Sequence, residues 1–173
     1  QICASIDGTG DIGEYIRTGL NYETFVKNFK AGLEHARHRR QMRLDFTLTL
    51  PGMFEIGPIQ QLAGELGVDI LAKVIFSFSP DIVMSPLALP REILDPWVDE
   101  LVADLPQGAL RDVLAQLKNR PTFSEQWPDT YNESIVKGKQ RILKLEQIRT
   151  QPTTMNEILS HRPAILKWWN EID

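Results

Sequence analysis

Three glycines near the start of the chain have the spacing of a nucleotide-binding turn. The segment Gly8-Thr9-Gly10-Asp11-Ile12-Gly13 fits G-x-G-x-x-G and directly follows residues with strand periodicity. When a helix begins at once after such a turn, its N-terminal N–H groups hold the pyrophosphate of a dinucleotide. Here helical periodicity is convincing only from Tyr22, Asp7 would put a carboxylate beside the phosphates, and the next strand lacks the terminal acidic residue that binds ribose. A nucleotide- or NAD-binding α/β enzyme that uses Gly8 to Gly13 is therefore an alternative interpretation.

The elements around this turn predict a sheet of three parallel strands. Apolar and polar residues alternate from Ile2 to Asp7, from Arg43 to Leu50 and from Ile70 to Phe78, as half-buried strands require. Two segments between these strands, Tyr22 to Ala36 and Ile59 to Leu66, have apolar residues at helical spacing. The order β-α-β-α-β predicts parallel strands joined by right-handed crossovers.

Each predicted strand has one apolar and one polar face. The apolar sets, which we expect to pack on helices, are Ile2/Ala4/Ile6, Leu44/Phe46/Leu48 and Ile70/Ala72/Val74/Phe76. The opposite face carries Cys3, Ser5, Asp7, Arg43, Asp45, Thr47, Thr49, Lys73 and Ser77. Because a doubly wound sheet is apolar on both faces, the polar lumen of a closed or partly closed α/β barrel fits better, with chemistry at the carboxyl ends of the strands. The alternative is a face open to solvent, or one on which Arg43, Asp45 and Lys73 only pair with one another.

The second half of the chain has a different character, because no convincing strand pattern follows Phe78. Helical patterns cover Pro90 to Leu105, Gln107 to Asn119 and Glu133 to Arg149. The sequence Thr154-Met155-Asn156-Glu157 is a capping box that begins a final helical region. This half is therefore either an appendage or a cover for the sheet.

Composition restricts the class of protein. The 173 residues are 42% hydrophobic with a formal net charge of −4, which suits a globular domain and disfavours nucleic acid or a membrane surface as a partner. The sequence contains no apolar run of membrane-spanning length and no secretion signal, so we expect a soluble, cytoplasmic protein. The single cysteine, Cys3, forms no internal disulfide and cannot alone complete a cysteine-ligated metal site.

Several short segments, taken in order, resemble a known family. They are the strand ending in SIDG, the segment EYIRTGLNYETFVKNFKAGL, the strand LDFTLTL, the segment IQQLAGELGVDI, and a strand leading to SPLALP. With this order and spacing, the chain from Ile2 to Pro90 resembles the second half of a radical S-adenosylmethionine enzyme. It is most similar to the subgroup with SPASM or twitch C-terminal extensions.

The resemblance implies a fold and an activity. Residues 1–90 would form the second half of a partial (β/α)6 barrel, an incomplete relative of the TIM barrel, and residues 91–173 a helical C-terminal extension. In that family three upstream cysteines bind a four-iron four-sulfur (4Fe-4S) cluster. An external electron donor reduces the cluster, and S-adenosylmethionine is cleaved to a 5′-deoxyadenosyl radical that abstracts hydrogen from a substrate. This segment would bind the organic part of the cofactor and shape the side facing the substrate, a peptide or a small molecule.

The resemblance also implies roles for five residues. Ser5 would contact the amino-acid or ribose part of the cofactor, with Asp7 beside it, and Arg17 would bind the cofactor carboxylate through two hydrogen bonds. Thr47 and Thr49 lie where the family offers hydroxyls or carboxylates to the ribose. The chain departs from the family pattern because it lacks the C-x3-C-x2-C loop and has PGMF in place of an asparagine-containing loop. Alternatively, Asp7 only stabilises the turn and Arg17 only forms a surface ion pair.

The start of the chain gives a further expectation. Gln1 is not preceded by methionine, and a strand pattern begins at once. We therefore expect a segment of a longer protein in which Ile2 to Asp7 is an edge strand with part of its backbone unpaired.

A non-catalytic interaction module is the remaining functional class. The helices after Pro90 would then expose Trp127, Trp168 and Trp169 as an anchor surface. Tryptophans at helical spacing more often face a core, so this hypothesis depends on whether their rings reach solvent.

Overall fold

The computed structural model describes residues 1–173, and all its strands lie in the first half of the chain. The strands are β1 (Ile2–Ile6), β2 (Met42–Leu48) and β3 (Asp69–Val74). The helices of the first half are α1 (Gly10–Ile16), α2 (Tyr22–His35) and α3 (Ile56–Leu66). Those of the second half are α4 (Arg91–Asp104), α5 (Ala109–Lys118), α6 (Phe123–Gln126), α7 (Tyr131–Ile148), α8 (Met155–Leu159) and α9 (Pro163–Asn170).

The three strands form one parallel sheet in the order β1-β2-β3, which confirms the predicted order and direction. In this register Ser5 lies beside Asp45, and Thr47 lies beside Lys73. Because β1 pairs with β2 alone, it is an edge strand, as expected.

The sheet has a packed face and an open face. Leu44, Phe46 and Leu48 of β2 are completely buried, whereas the residues between them are partly exposed. Helix α2 approaches the packed face closely, since a Cβ on Gly32 would lie 2.9 Å from the Met42 methyl carbon. The open face consists of Cys3, Ser5, Arg43, Asp45, Thr47, Leu71 and Lys73. Two residues predicted for this face, Asp7 and Thr49, are buried instead, and Ser77 lies beyond the end of β3.

Helix α1 is a correction to the sequence-based expectation, which had no helix before Tyr22. Ile12, Tyr15 and Ile16 have the spacing of one helical face, and all three pack in or against the hydrophobic core. Gly13 lowers helix propensity, but a Cβ there would overlap the Gly8 carbonyl oxygen. Tertiary packing therefore requires a glycine at a position where local propensity disfavours one.

Strand β3 ends earlier than predicted. After Val74 only the Ile75 N–H continues the ladder, donating to the Leu48 carbonyl at 3.0 Å, because β2 itself ends there. Phe76 and Phe78 consequently leave the sheet and are 80% and 72% exposed. The expectation that the apolar sets pack on helices is therefore wrong for Phe76, and it is also wrong for Ile2, which is 59% exposed.

The helical half covers part of the sheet and shares its core. Helix α5 packs on β3, and the single cluster of buried apolar residues runs from Ile6 to Ile172. Trp168 and Trp169 are buried in this cluster, so they form no exposed anchor surface, while Trp127 is only partly exposed. None of the helices has both the length and the apolar character needed to cross a membrane.

Candidate functional site

The candidate site lies at the carboxyl end of β1, where the chain turns into α1. Asp7 is only 8% exposed, and its Oδ2 accepts a hydrogen bond of 2.9 Å from Arg17 Nε. Arg17 Nη2 lies 2.8 Å from the same oxygen. The other carboxylate oxygen, Asp7 Oδ1, is buried and has no hydrogen-bond partner. An unpaired buried acceptor of this kind is unusual, because most buried polar atoms are satisfied.

Arg17 reaches Asp7 because the C-terminal end of helix α1 lies beside the turn that connects β1 to α1. The Arg17 N–H closes the helix by donating to the Gly13 carbonyl at 3.0 Å. The side chain is 43% exposed, so the guanidinium contacts both the carboxylate and solvent. Two of its five N–H groups point to Asp7 Oδ2, which leaves three for other acceptors.

Glycines allow the chain segments around Asp7 to approach one another. A Cβ on Gly52 would lie 3.2 Å from the Asp7 carbonyl oxygen and 2.9 Å from Thr49 Oγ1. Gly8 and Gly13 are in contact through their backbones, with no space between them for a side chain. The glycine motif therefore has a packing explanation, independent of any bound phosphate.

Glu55 is a buried carboxylate of this turn that sequence analysis missed. It is 5% exposed, and its Oε2 accepts both the N–H and the hydroxyl of Thr9 at 2.6 Å. Gly8 makes room for it, since a Cβ there would lie 3.0 Å from Glu55 Cγ. The carboxylate thus lies at the N-terminus of α1, where the helix dipole favours negative charge. No local pattern could have identified Glu55, because its partner is 46 residues away.

The three predicted hydroxyls have different surroundings. Ser5 and Thr47 lie on the open face, on adjacent strands, with Ser5 exposed and Thr47 partly exposed. Thr49 is 3% exposed, and its Oγ1 accepts the Gly52 N–H at 3.0 Å, which fixes the 3-10 turn Pro51–Glu55. The structure therefore places two of the three hydroxyls where a ligand on the open face could reach them.

Lys73 and Asp45 pair on the open face, as the alternative interpretation expected, whereas Arg43 contacts the Cys3 thiol instead of joining them. Lys73 Nζ donates to both carboxylate oxygens of Asp45, at 2.7 and 2.8 Å. Arg43 Nε lies 3.1 Å from Cys3 Sγ. These pairs leave Ser5 and Thr47 as neutral donors and acceptors between the charged groups.

The site has groups suited to an organic ligand, whereas no metal site is apparent. Asp7 Oδ1 would accept a hydrogen bond from a ligand hydroxyl or amine, and Arg17 would donate to a ligand carboxylate. No three His, Cys, Asp or Glu side chains are grouped so that they could hold a metal ion. The residues described here therefore do not fit a four-iron four-sulfur cluster.

Comparisons with known proteins add nothing to this description, because no family model, curated protein or solved structure matches the chain.

Proposed function

We propose that this chain is part of a radical S-adenosylmethionine enzyme and that the carboxyl ends of β1 and β2 bind the organic part of the cofactor. One observation carries the proposal. Asp7 Oδ1 is a buried carboxylate oxygen without a partner, located where parallel strands end beside an open polar face. Ligands of α/β proteins bind at this end of the strands.

The unpaired oxygen of Asp7 suits a ribose hydroxyl. A buried acceptor left unsatisfied costs about 1–3 kcal/mol, and a ligand O–H would recover that free energy. Arg17 holds the other oxygen at 2.9 Å, which fixes the carboxylate for such a contact. Asp7 Oδ1 thus has the chemistry to accept a ribose hydroxyl, but because it is buried, the groups that cover it would have to move apart for this contact to form.

Arg17 and the hydroxyls of the open face fit the remaining polar groups of the cofactor. The three unused N–H groups of Arg17 match an amino-acid carboxylate. Ser5 and Thr47 supply hydroxyls on adjacent strands. Thr49 takes a different role, because its hydroxyl holds the turn that carries Glu55.

The cluster would have to be bound by residues outside those described, since Cys3 is the only cysteine. When bound, the cluster and S-adenosylmethionine would supply one-electron cleavage of the cofactor and hydrogen abstraction from a substrate. The residues of this chain would bind and orient the cofactor.

Calorimetric titration of S-adenosylmethionine into the chain tests the site. We expect Asp7→Ala and Arg17→Ala to weaken binding about ten- to a hundredfold, the usual effect of losing a charge-assisted contact, and Ser5→Ala to weaken it less. Asp69→Asn is a matched control, because it removes an exposed carboxylate at the opposite end of the sheet. Unchanged affinity in all three site variants would reject the site.

The family assignment needs a separate measurement on the natural protein. After anaerobic reconstitution, iron and sulfide analysis should show a cluster, and reductant should release 5′-deoxyadenosine. A natural protein that holds no cluster would reject the assignment, whatever the titration shows.

Dinucleotide binding is the second candidate, and one observation favours it. Helix α1 begins at Gly10, directly after the turn, as the fingerprint requires. However, the Glu55 carboxylate already accepts the Thr9 N–H at the start of this helix, where a pyrophosphate would lie. Two negative groups at one position repel each other, so we expect NAD to bind more weakly than S-adenosylmethionine in the same titration.

A further inference from the structure

Glu146 of α7 connects its own helix to α1 and α8 through hydrogen bonds. The hydroxyl of Tyr15, a residue 1% exposed, donates to Glu146 Oε1 at 2.7 Å. The same oxygen accepts the Met155 N–H at 2.6 Å. Burial and the hydrogen bond to Glu146 both raise the pKa of Tyr15, so its hydroxyl stays protonated as a donor.

The residues after Glu146 contact the last turn of α1 at three further points. Arg149 Nη1 donates to the Tyr15 carbonyl at 2.8 Å, and the guanidinium carbon lies 5.3 Å from the centre of the Tyr15 ring. Gln151 Nε2 lies 3.4 Å from Glu14 Oε2. The other Glu14 oxygen accepts the Tyr22 N–H at 2.8 Å, which connects these contacts to the start of α2. We call residues 146–155 the C-terminal clamp.

The clamp holds the helix that carries Arg17 to Asp7. Helix α1 is only 7 residues long, and Tyr15 lies one helical turn or less from Arg17. Because so short a helix has little stability of its own, its position depends on tertiary contacts. We infer that the C-terminal clamp positions Arg17 against Asp7 through Tyr15, so that the helical half sets the geometry of the candidate site.

Two features indicate that this contact is adjustable. Arg149 Nε and Gln151 Oε1 are buried without hydrogen-bond partners, so the clamp is not fully satisfied in this arrangement. A cleft of about 390 Å³ lies between the α1–α2 loop and the end of α7, lined by both side chains. The clamp therefore has unsatisfied groups and space in which to rearrange. By linkage, a ligand that binds the Arg17–Asp7 pair would stabilise the contacts of the clamp with α1. Loss of those contacts would in turn lower the affinity for that ligand.

Hydrogen exchange of the Arg17 Nε–H, followed by NMR, tests the inference without any ligand. Tyr15→Phe keeps the ring and removes the hydroxyl, and we expect exchange about tenfold faster, the effect of losing one hydrogen bond. Tyr131→Phe is the matched control. It removes a buried tyrosine hydroxyl that donates to the Ala88 carbonyl at 2.7 Å, outside the clamp. An effect of Tyr15→Phe no larger than that of Tyr131→Phe would overturn the inference.

Two substitutions of Glu146 provide a second, independent comparison. Glu146→Gln keeps an oxygen that accepts from Tyr15 and Met155, so exchange of the Arg17 Nε–H should stay within about twofold of the wild type. Glu146→Ala removes the acceptor and should accelerate exchange about tenfold. If Tyr15→Phe does not fold, this pair decides, and equal exchange rates in the two variants would overturn the inference.

The consequence for ligand binding rests on the proposed function and is measured separately. Tyr15→Phe should lower the affinity for S-adenosylmethionine about tenfold, whereas Tyr131→Phe should leave it unchanged. If the wild-type chain does not bind the cofactor, the proposed cofactor site fails, while the exchange experiment still decides whether the clamp positions Arg17.

Discussion

The two faces of β2 belong to the same 7 residues, yet they have different physical roles. On the packed face Leu44, Phe46 and Leu48 are completely buried. On the open face Asp45 and Thr47 remain partly exposed, and Asp45 accepts a hydrogen bond from Lys73. Because burial of apolar area is the main stabilising contribution to folding, we expect the packed face to determine stability. The open face can then vary to suit a ligand at little cost.

The largest difference should appear between neighbouring residues of β2. Phe46→Ala removes a completely buried ring and should lower the free energy of unfolding by about 3–5 kcal/mol. Thr47→Ala, on the opposite face, should change it by no more than about 0.5 kcal/mol. Urea unfolding followed by circular dichroism measures both, and similar losses in the two variants would contradict the division into faces.

A second comparison applies the same distinction to helical glycines. A Cβ on Gly138 of α7 would overlap the Asp81 carbonyl oxygen and lie 2.5 Å from Val83 Cγ1, so Gly138→Ala should cost about 1–3 kcal/mol of stability. A Cβ on Gly57 of α3 meets nothing within 4 Å, so Gly57→Ala should stabilise by up to about 1 kcal/mol. Thermal unfolding should show changes of opposite sign, and a stabilised Gly138→Ala protein would be incompatible with this packing.

The buried Tyr15 hydroxyl should make stability depend on alkaline pH. Burial, followed by the hydrogen bond to Glu146, raises the pKa of Tyr15 above its ordinary value. The unfolded chain therefore loses this proton near pH 10 while the folded chain keeps it, so stability falls as pH rises further, by about 1.4 kcal/mol per pH unit for this group. Tyr15→Phe should reduce the slope of the free energy of unfolding against pH by the contribution of one proton, whereas Thr47→Ala should keep the wild-type slope. Equal slopes in wild type and Tyr15→Phe would show that Tyr15 ionises freely in the folded state.

The smallest effect is expected for the ion pair of the open face. Lys73 is 52% exposed, so solvent screens its contact with Asp45. A double-mutant cycle with Asp45→Ala and Lys73→Ala should give a coupling of no more than about 1 kcal/mol, reduced further by added salt. A larger, salt-independent coupling would mean that this face is covered in solution.

The sequence predicted the elements that depend on local periodicity. The period-two patterns around Ile6, Phe46 and Ala72 predicted the three strands and most of their faces, and the order β-α-β-α-β predicted that they are parallel. Ile2, Asp7 and Thr49 are exceptions, because the first is exposed and the other two are buried. The end of β3 was missed, because it depends on where its neighbour β2 ends rather than on the residues Ile75 to Phe78. Helix α1 was missed because no local pattern shows the contact with Gly8 that requires a glycine at Gly13.

The candidate site was predictable only in part, for the same physical reason. Asp7 and Arg17 are near in sequence, but their pairing depends on a helix that the pattern did not indicate. Glu55 and Glu146 act on partners 46 and 131 residues away, and a single sequence contains no signal that brings such residues together.

The long separation between Tyr15 and Glu146 also has a consequence for how the chain folds. A contact that closes 131 residues is entropically costly to form early, and contacts of this kind slow folding. During synthesis at about 5–20 residues per second, Glu146 would be added several seconds after the last residue of β3. We therefore expect α1 to be the last part of the first half to become rigid. A pulse of deuterium during refolding should label its amides after those of β2 are already protected.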